Sequence, residues 1–151
     1  MPRHDDLGIA PNAILIRAVR PDWVREENGT ERLTSATFSD GQLEASCFIA
    51  DEVGGIESYR RKILPELSEL LRTRLGVATV TVERVRSSGL WIYRKPEEYK
   101  NDPAHVVICP PDEMTTKQYK KRTGALAPDA ILVVSPSDGR NQGRLEINAD
   151  E

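Results

Sequence analysis

Two arginines and a tryptophan are the first residues whose types and spacing suggest chemistry. In LIRAVRPDW, Arg17 and Arg20 flank the end of an apolar run, and Trp23 follows. A guanidinium in an apolar strand must find an anion or carbonyl oxygens, because burying it unpaired is costly. Arg17 and Arg20 can clamp a phosphate or carboxylate, or they can form structural ion pairs with nearby acids. Ser35 in SATF and Ser46 in EASCFIA stand near Phe38 and Phe48. Hydroxyls beside rings can position a planar ligand, and they can equally be strand residues satisfied by the backbone.

Cys47 and His105 fall on separate expected strands, and a thiol within reach of an imidazole becomes a nucleophile. Reactive thiols are partly exposed and near positive charge, whereas Cys47 lies in an apolar stretch. His105 alone, opening HVVIC, suits general acid–base work near neutral pH or a structural bond to a carbonyl. Lys117, Lys120, Lys121 and Arg122, with Tyr119, give a helix face that can meet phosphates or an acidic partner, or simply face water.

Several motifs are missing from the sequence. It has no phosphate loop, no glycine-rich dinucleotide fingerprint, no CxxC pair and no GxSxG elbow. The two histidines lack zinc spacing, so no metal site is expected.

These residues must be positioned by short elements. A loose leader is expected over 1–12 and a first strand over 13–19, ended by Pro21. Asn28-Gly29 centres a turn over 25–31. Extended stretches follow at 33–38 and 43–50, with a turn at Ser39-Asp40-Gly41, so that 28–50 resembles a hairpin or meander. Strict alternation in the second stretch puts Leu43, Ala45, Cys47 and Ile49 on one face and Glu44, Ser46, Phe48 and Ala50 on the other. A helical region runs over 56–75. It is interrupted by Pro65 and capped by Gly76. The spacing then predicts a strand over 77–85 and a hairpin partner in LWIYR. A charged loop follows over 95–103, then a strand over 105–109, a helix over 114–126 and a strand over 131–135. The remainder, 136–151, is polar and expected to be disordered. The fold expected is a single α+β domain over 13–135, with a mostly antiparallel sheet and two helical segments.

Composition narrows the function classes. At 151 residues the chain can bury one core without staples. A net charge of -3 offers no overall basic face for nucleic acid or an anionic membrane. Cys47 and Cys109 make no disulfide framework, and the polar start MPRHDDLGIAPN has no secretory pattern. No apolar run is long enough to span a bilayer. A cytoplasmic protein is expected.

The blocks RAVRPDW, RLTSATF, EASCFIA and DPAHVVICPP, in this order, resemble a small bacterial domain family to which no function is attached. A fainter resemblance is to ADP-ribosyltransferase-like folds, including toxin domains that degrade NAD. That resemblance implies a first-strand arginine at Arg17, a hydroxyl at Ser35 or Ser46 and an acid at Glu57. In it a cation holds pyrophosphate, hydroxyl and ring hold nicotinamide, and the carboxylate steadies an oxocarbenium ion. Phe48 stands where such folds carry a tyrosine.

Two functions are therefore expected. The first is a non-enzymatic module in a bacterial defence or toxin-linked operon. It binds another protein through Arg20, Trp23, Trp91 and Tyr93 and needs no cofactor. The second is a small NAD- or nucleotide-handling enzyme, with Arg17, Ser35, Ser46, Glu57 and His105 lining one cleft.

Overall fold

Apolar runs that alternate along their length become strands when each face can be buried. A computed structural model of the chain describes residues 3–39 and 43–136. The expected tail, apart from Pro136, lies outside them, as do Asp40 and Gly41 of the expected turn. In chain order the elements are β1 (Ile14–Val19), β2 (Val24–Glu27), β3 (Thr30–Leu33), β4 (Ala45–Ile49), α1 (Ile56–Lys62) and α2 (Leu64–Leu71). Then come β5 (Gly76–Thr81), α3 (Val82–Ser87), β6 (Trp91–Arg94), β7 (His105–Cys109), α4 (Thr116–Gly124) and β8 (Ile131–Val134). A 6-stranded sheet in the order β6-β7-β4-β1-β5-β8 is antiparallel at every pairing, and β2 and β3 form a separate hairpin. The α+β class expected from the sequence is the one observed.

Register decides which face each side chain takes. Leu15 pairs with Ile49 and Val80, and these residues join Ala45, Cys47, Val106 and Ile108 under α3 and α4. Ile16 pairs with Phe48 and Thr79 on the other face, where Tyr59, Ile63 and Leu64 of the α1–α2 region cover it. Each such fully buried aliphatic side chain stabilises the fold by about 2 kcal/mol.

Local chemistry sets the boundaries. Asn28 and Gly29 both have positive φ, 53° and 78°, and Glu27 pairs with Thr30. This is a two-residue hairpin of the kind Asn-Gly favours. Pro65 sits near the start of α2, and the helical region breaks at Ile63. Thr115 and Gln118 form a reciprocal capping box at the start of α4.

Six expectations are corrected. The stretch 33–38 is not extended, because Ser35–Phe38 coils into a 3-10 turn in which Thr37 Oγ1 donates to Thr34 O at 2.8 Å. β3 and β4 lie in different sheets, so 28–50 is no meander. The α2 helix ends at Arg72, in the left-handed region at φ 53°, and Gly76 instead opens β5. A Cβ on Gly76 would collide with the Val134 carbonyl, so the glycine permits the close approach of β8. The strand over 77–85 stops at Thr81, whose hydroxyl accepts from Arg84 N and caps α3, and β6 pairs with β7 rather than with β5.

The sixth correction concerns the leader, whose residues 3–12 are docked rather than loose. Ile9 is buried in the α3–α4 core. Arg86 of α3 donates to Ile9 O at 2.9 Å and to Asp6 O at 2.7 Å, and it pairs with Asp5. Asp6 N donates to Ile92 O at 2.8 Å, and Ile92 N donates to Asp5 Oδ1 at 3.1 Å. The leader thereby satisfies the outward backbone groups of Ile92 in β6.

Candidate functional site

At the end of β1 the strand parts from β4, and Arg17 occupies the split. Its Nε donates to Thr37 O at 2.6 Å and its Nη1 to Ser46 O at 2.8 Å. The guanidinium carbon lies 5.0 Å from the Trp23 ring centroid and 6.0 Å from that of Phe38. Arg17 is buried, so these carbonyls and rings replace the water it has lost. The residue ties β1 to β4 and to the 3-10 turn.

Beside Arg17, a cavity of about 190 Å³ lies between the sheet and α2. Arg20, Trp23, Ser46, Phe48 and Tyr59 line it, with Leu67, Leu71 and Leu75. Four sequence candidates (Arg17, Arg20, Trp23 and Ser46) therefore meet in one place. Arg20 stands at the surface in a 3.5 Å ion pair with Asp22. Trp23 is buried against Val19 and Ala78, so it is a core residue with one side on the cavity rather than an exposed anchor.

The other candidates lie elsewhere. Ser35 packs against Gly124 of α4, and its carbonyl accepts from Ser39 Oγ at 2.7 Å. Glu57 is exposed on α1, paired with Arg60 at 3.0 Å. His105 is buried, with Nδ1 donating to Lys95 O at 2.8 Å and its ring 5.1 Å from Phe48. A carbonyl can only accept, so this bond fixes the proton on Nδ1. None of these three lines the cavity.

Cys47 and His105 do not form a pair. Phe48 is opposite His105 and Cys47 is opposite Val106, so the thiol and the imidazole point to opposite faces. Burial pushes the Cys47 thiol up to about 11, partly offset by the Arg17 charge, and pushes Cys109 up to about 12. Both remain protonated and unreactive near neutral pH. Tyr93 is buried and donates to Glu44 at 3.3 Å, while Trp91 is half-buried beside it. Tyr119, read as part of a basic surface, is buried and donates to Ile108 O at 3.0 Å. It pins α4 to β7.

Tyr59 is the residue that sequence reasoning missed. It is fully buried, and its hydroxyl has no hydrogen-bond partner among the described residues. Leaving such a group unsatisfied costs about 1–3 kcal/mol. Burial also holds the phenol well above its ordinary range. The signal available was the spacing of Ile56, Tyr59 and Ile63, which puts the tyrosine on the inner face of a charged helix.

Two further concavities are formed among the described residues. One, about 350 Å³, is lined by Glu66, Tyr99 and Lys100, and there Glu66 accepts from both Tyr99 and Lys100 at 2.7 Å and 2.6 Å. The other, about 400 Å³, runs between β3 and β8. Among the described residues no cluster of three His, Cys, Asp or Glu can hold a metal, and no helix is long and apolar enough to cross a membrane. The chain matches no protein-family model, no curated protein and no solved structure.

Proposed function

We propose that the protein is a non-enzymatic binding module that takes an extended segment of another protein along β8. The observation that carries this reading is the state of that edge. Among the described residues β8 is paired on one side only, with β5, while Ile131 is 65% and Val133 41% exposed. An unpaired apolar edge is a template for one more strand, and partner segments add to sheets in this way. The groove beside it is lined by Leu33, Ala127, Pro128, Ala130 and Leu132, which suits an apolar side chain of the incoming strand.

The occupant favoured is a peptide segment rather than a second copy. Four residues of strand span about 13 Å. Two copies meeting along so short an edge bury far less than the roughly 1,200 Å² of a stable interface. A segment running from β8 into the groove covers more of the apolar surface. Arg20, Trp23, Trp91 and Tyr93, the anchors expected from the sequence, give way in this reading to Ile131 and Val133.

The NAD-handling alternative keeps one supporting observation, the shared cavity of Arg17 and Ser46. That cavity, about 190 Å³, is smaller than a dinucleotide needs. It also lies apart from Ser35, Glu57 and His105.

Selection of displayed random peptides on the wild-type protein tests the proposal. Enriched peptides should alternate apolar residues and shift the amide resonances of β8. Ile131→Lys or Val133→Lys should abolish their binding, with unfolding changed by less than about 0.5 kcal/mol. Peptides that bind both variants as well as wild type, or none enriched at all, would overturn it. A dimer in sedimentation that Val133→Lys dissolves would reassign the edge to self-association.

A further inference from the structure

The cavity beside Arg17 carries an inference independent of the β8 edge. Its walls divide by chemistry. Phe48, Leu67, Leu71 and Leu75 make one side apolar. Arg17 and Arg20 bring positive charge to the other, and the fully buried Tyr59 lines the same cavity with its hydroxyl unpartnered. Arg72 and Arg74 flank the lining residues Leu71 and Leu75 in sequence. A buried hydroxyl without a partner is rare in folded proteins and calls for an acceptor of its hydrogen bond.

We infer that this cavity binds a small carboxylate with an apolar body. The carboxylate lies towards Arg17 and Arg20 and accepts from the Tyr59 hydroxyl, and the hydrocarbon packs on Phe48 and the α2 leucines. Size limits the ligand. The cavity, about 190 Å³, equals the liquid volume of roughly six water molecules. That admits a benzoate-sized or branched short-chain acid and excludes nucleotides. The apolar wall disfavours inorganic phosphate, because a doubly charged oxyanion would face hydrocarbon on one side. Charge and phenol together disfavour a neutral ligand of the same shape, since hydrogen bonds to a charged acceptor are the stronger ones.

Amide NMR of the full chain titrated with benzoate and with isovalerate tests the inference, with benzamide and inorganic phosphate as controls. The carboxylates should shift resonances of Ser46, Leu71 and Leu75, and benzamide should not. Tyr59→Phe should weaken benzoate binding about tenfold, as expected for one hydrogen bond to a charged group. The same variant should unfold no more easily than wild type in the absence of ligand, because it removes an unsatisfied hydroxyl. Arg20→Ala, at the rim, should weaken binding without changing the melting temperature. The inference is overturned if neither carboxylate shifts these resonances or if Tyr59→Phe binds as tightly as wild type. Binding of benzamide or phosphate on equal terms with benzoate would overturn it as well.

Discussion

The edge of the sheet at β6 and the edge at β8 are built from similar apolar strands, WIYR and ILVV, yet they are finished differently. At β6 the leader supplies a donor and an acceptor to Ile92 and places Ile9 in the core. At β8 the same backbone groups face outward among the described residues, and two apolar side chains remain exposed. One edge has been closed with part of the chain's own length, and Arg86 holds that closure with three partners. A chain that spends residues on one edge and leaves the other apolar separates a structural edge from an available one.

The strongest way to break this comparison is Ile9→Ala. If the leader is part of the fold, the cavity left under α3 and α4 should lower stability by about 3 kcal/mol in urea unfolding. A loss below 1 kcal/mol would make the leader an ornament on β6. Arg86→Ala should cost about 2 kcal/mol by releasing Asp5, Asp6 and Ile9 together. By loosening the leader it should also expose Cys109, whose thiol feels the charges of Arg3 and Asp5. In a Cys47→Ala background, alkylation of Cys109 should therefore run faster in the Arg86 variant than in its parent.

The smallest effect concerns alkaline pH. Burial raises Cys47 from 9.0 to about 11 and Cys109 from 9.0 to about 12. The unfolded chain gives up these protons first, so stability is full below pH 9.0 and declines towards about 11 to 12. Replacing both cysteines with alanine should flatten the decline, measured as the slope of unfolding free energy against pH. An unchanged slope would place the loss on other groups, of which Tyr59 is the first to examine.

Local chemistry was legible in the sequence and pairing was not. The alternation through Ala45, Cys47 and Ile49 assigned faces correctly, because a side-chain period of two needs no knowledge of neighbours. Asn28-Gly29 announced its hairpin for the same reason. Sequence proximity suggested that LWIYR would pair with the strand before it, but α3 intervenes and β6 joins β7. Nothing local distinguishes these outcomes, since both strands are apolar and only the complete sheet selects between them. For the site, Arg17 was legible as a buried cation in need of oxygen atoms. The oxygen atoms it found, Thr37 O and Ser46 O, are backbone carbonyls whose position depends on tertiary structure. Tyr59 was hidden by the charged neighbours in ESYRRK, which suggest a solvated helix.

The strand order β6-β7-β4-β1-β5-β8 also has a consequence in time. β1 is made first of the six strands and lies inside the sheet, between partners that emerge later. The leader waits longer still, for its clamp Arg86 and its seat at Ile92 lie on the far side of β5. During synthesis LIRAV and its arginine can meet β4 once Ile49 has appeared, but the other flank of β1 stays open until β5 is made at Gly76–Thr81. Such a topology folds through distant rather than neighbouring contacts, and slowly for its size. Its period of greatest exposure to aggregation falls before β7 is complete, when β4 still has an open flank.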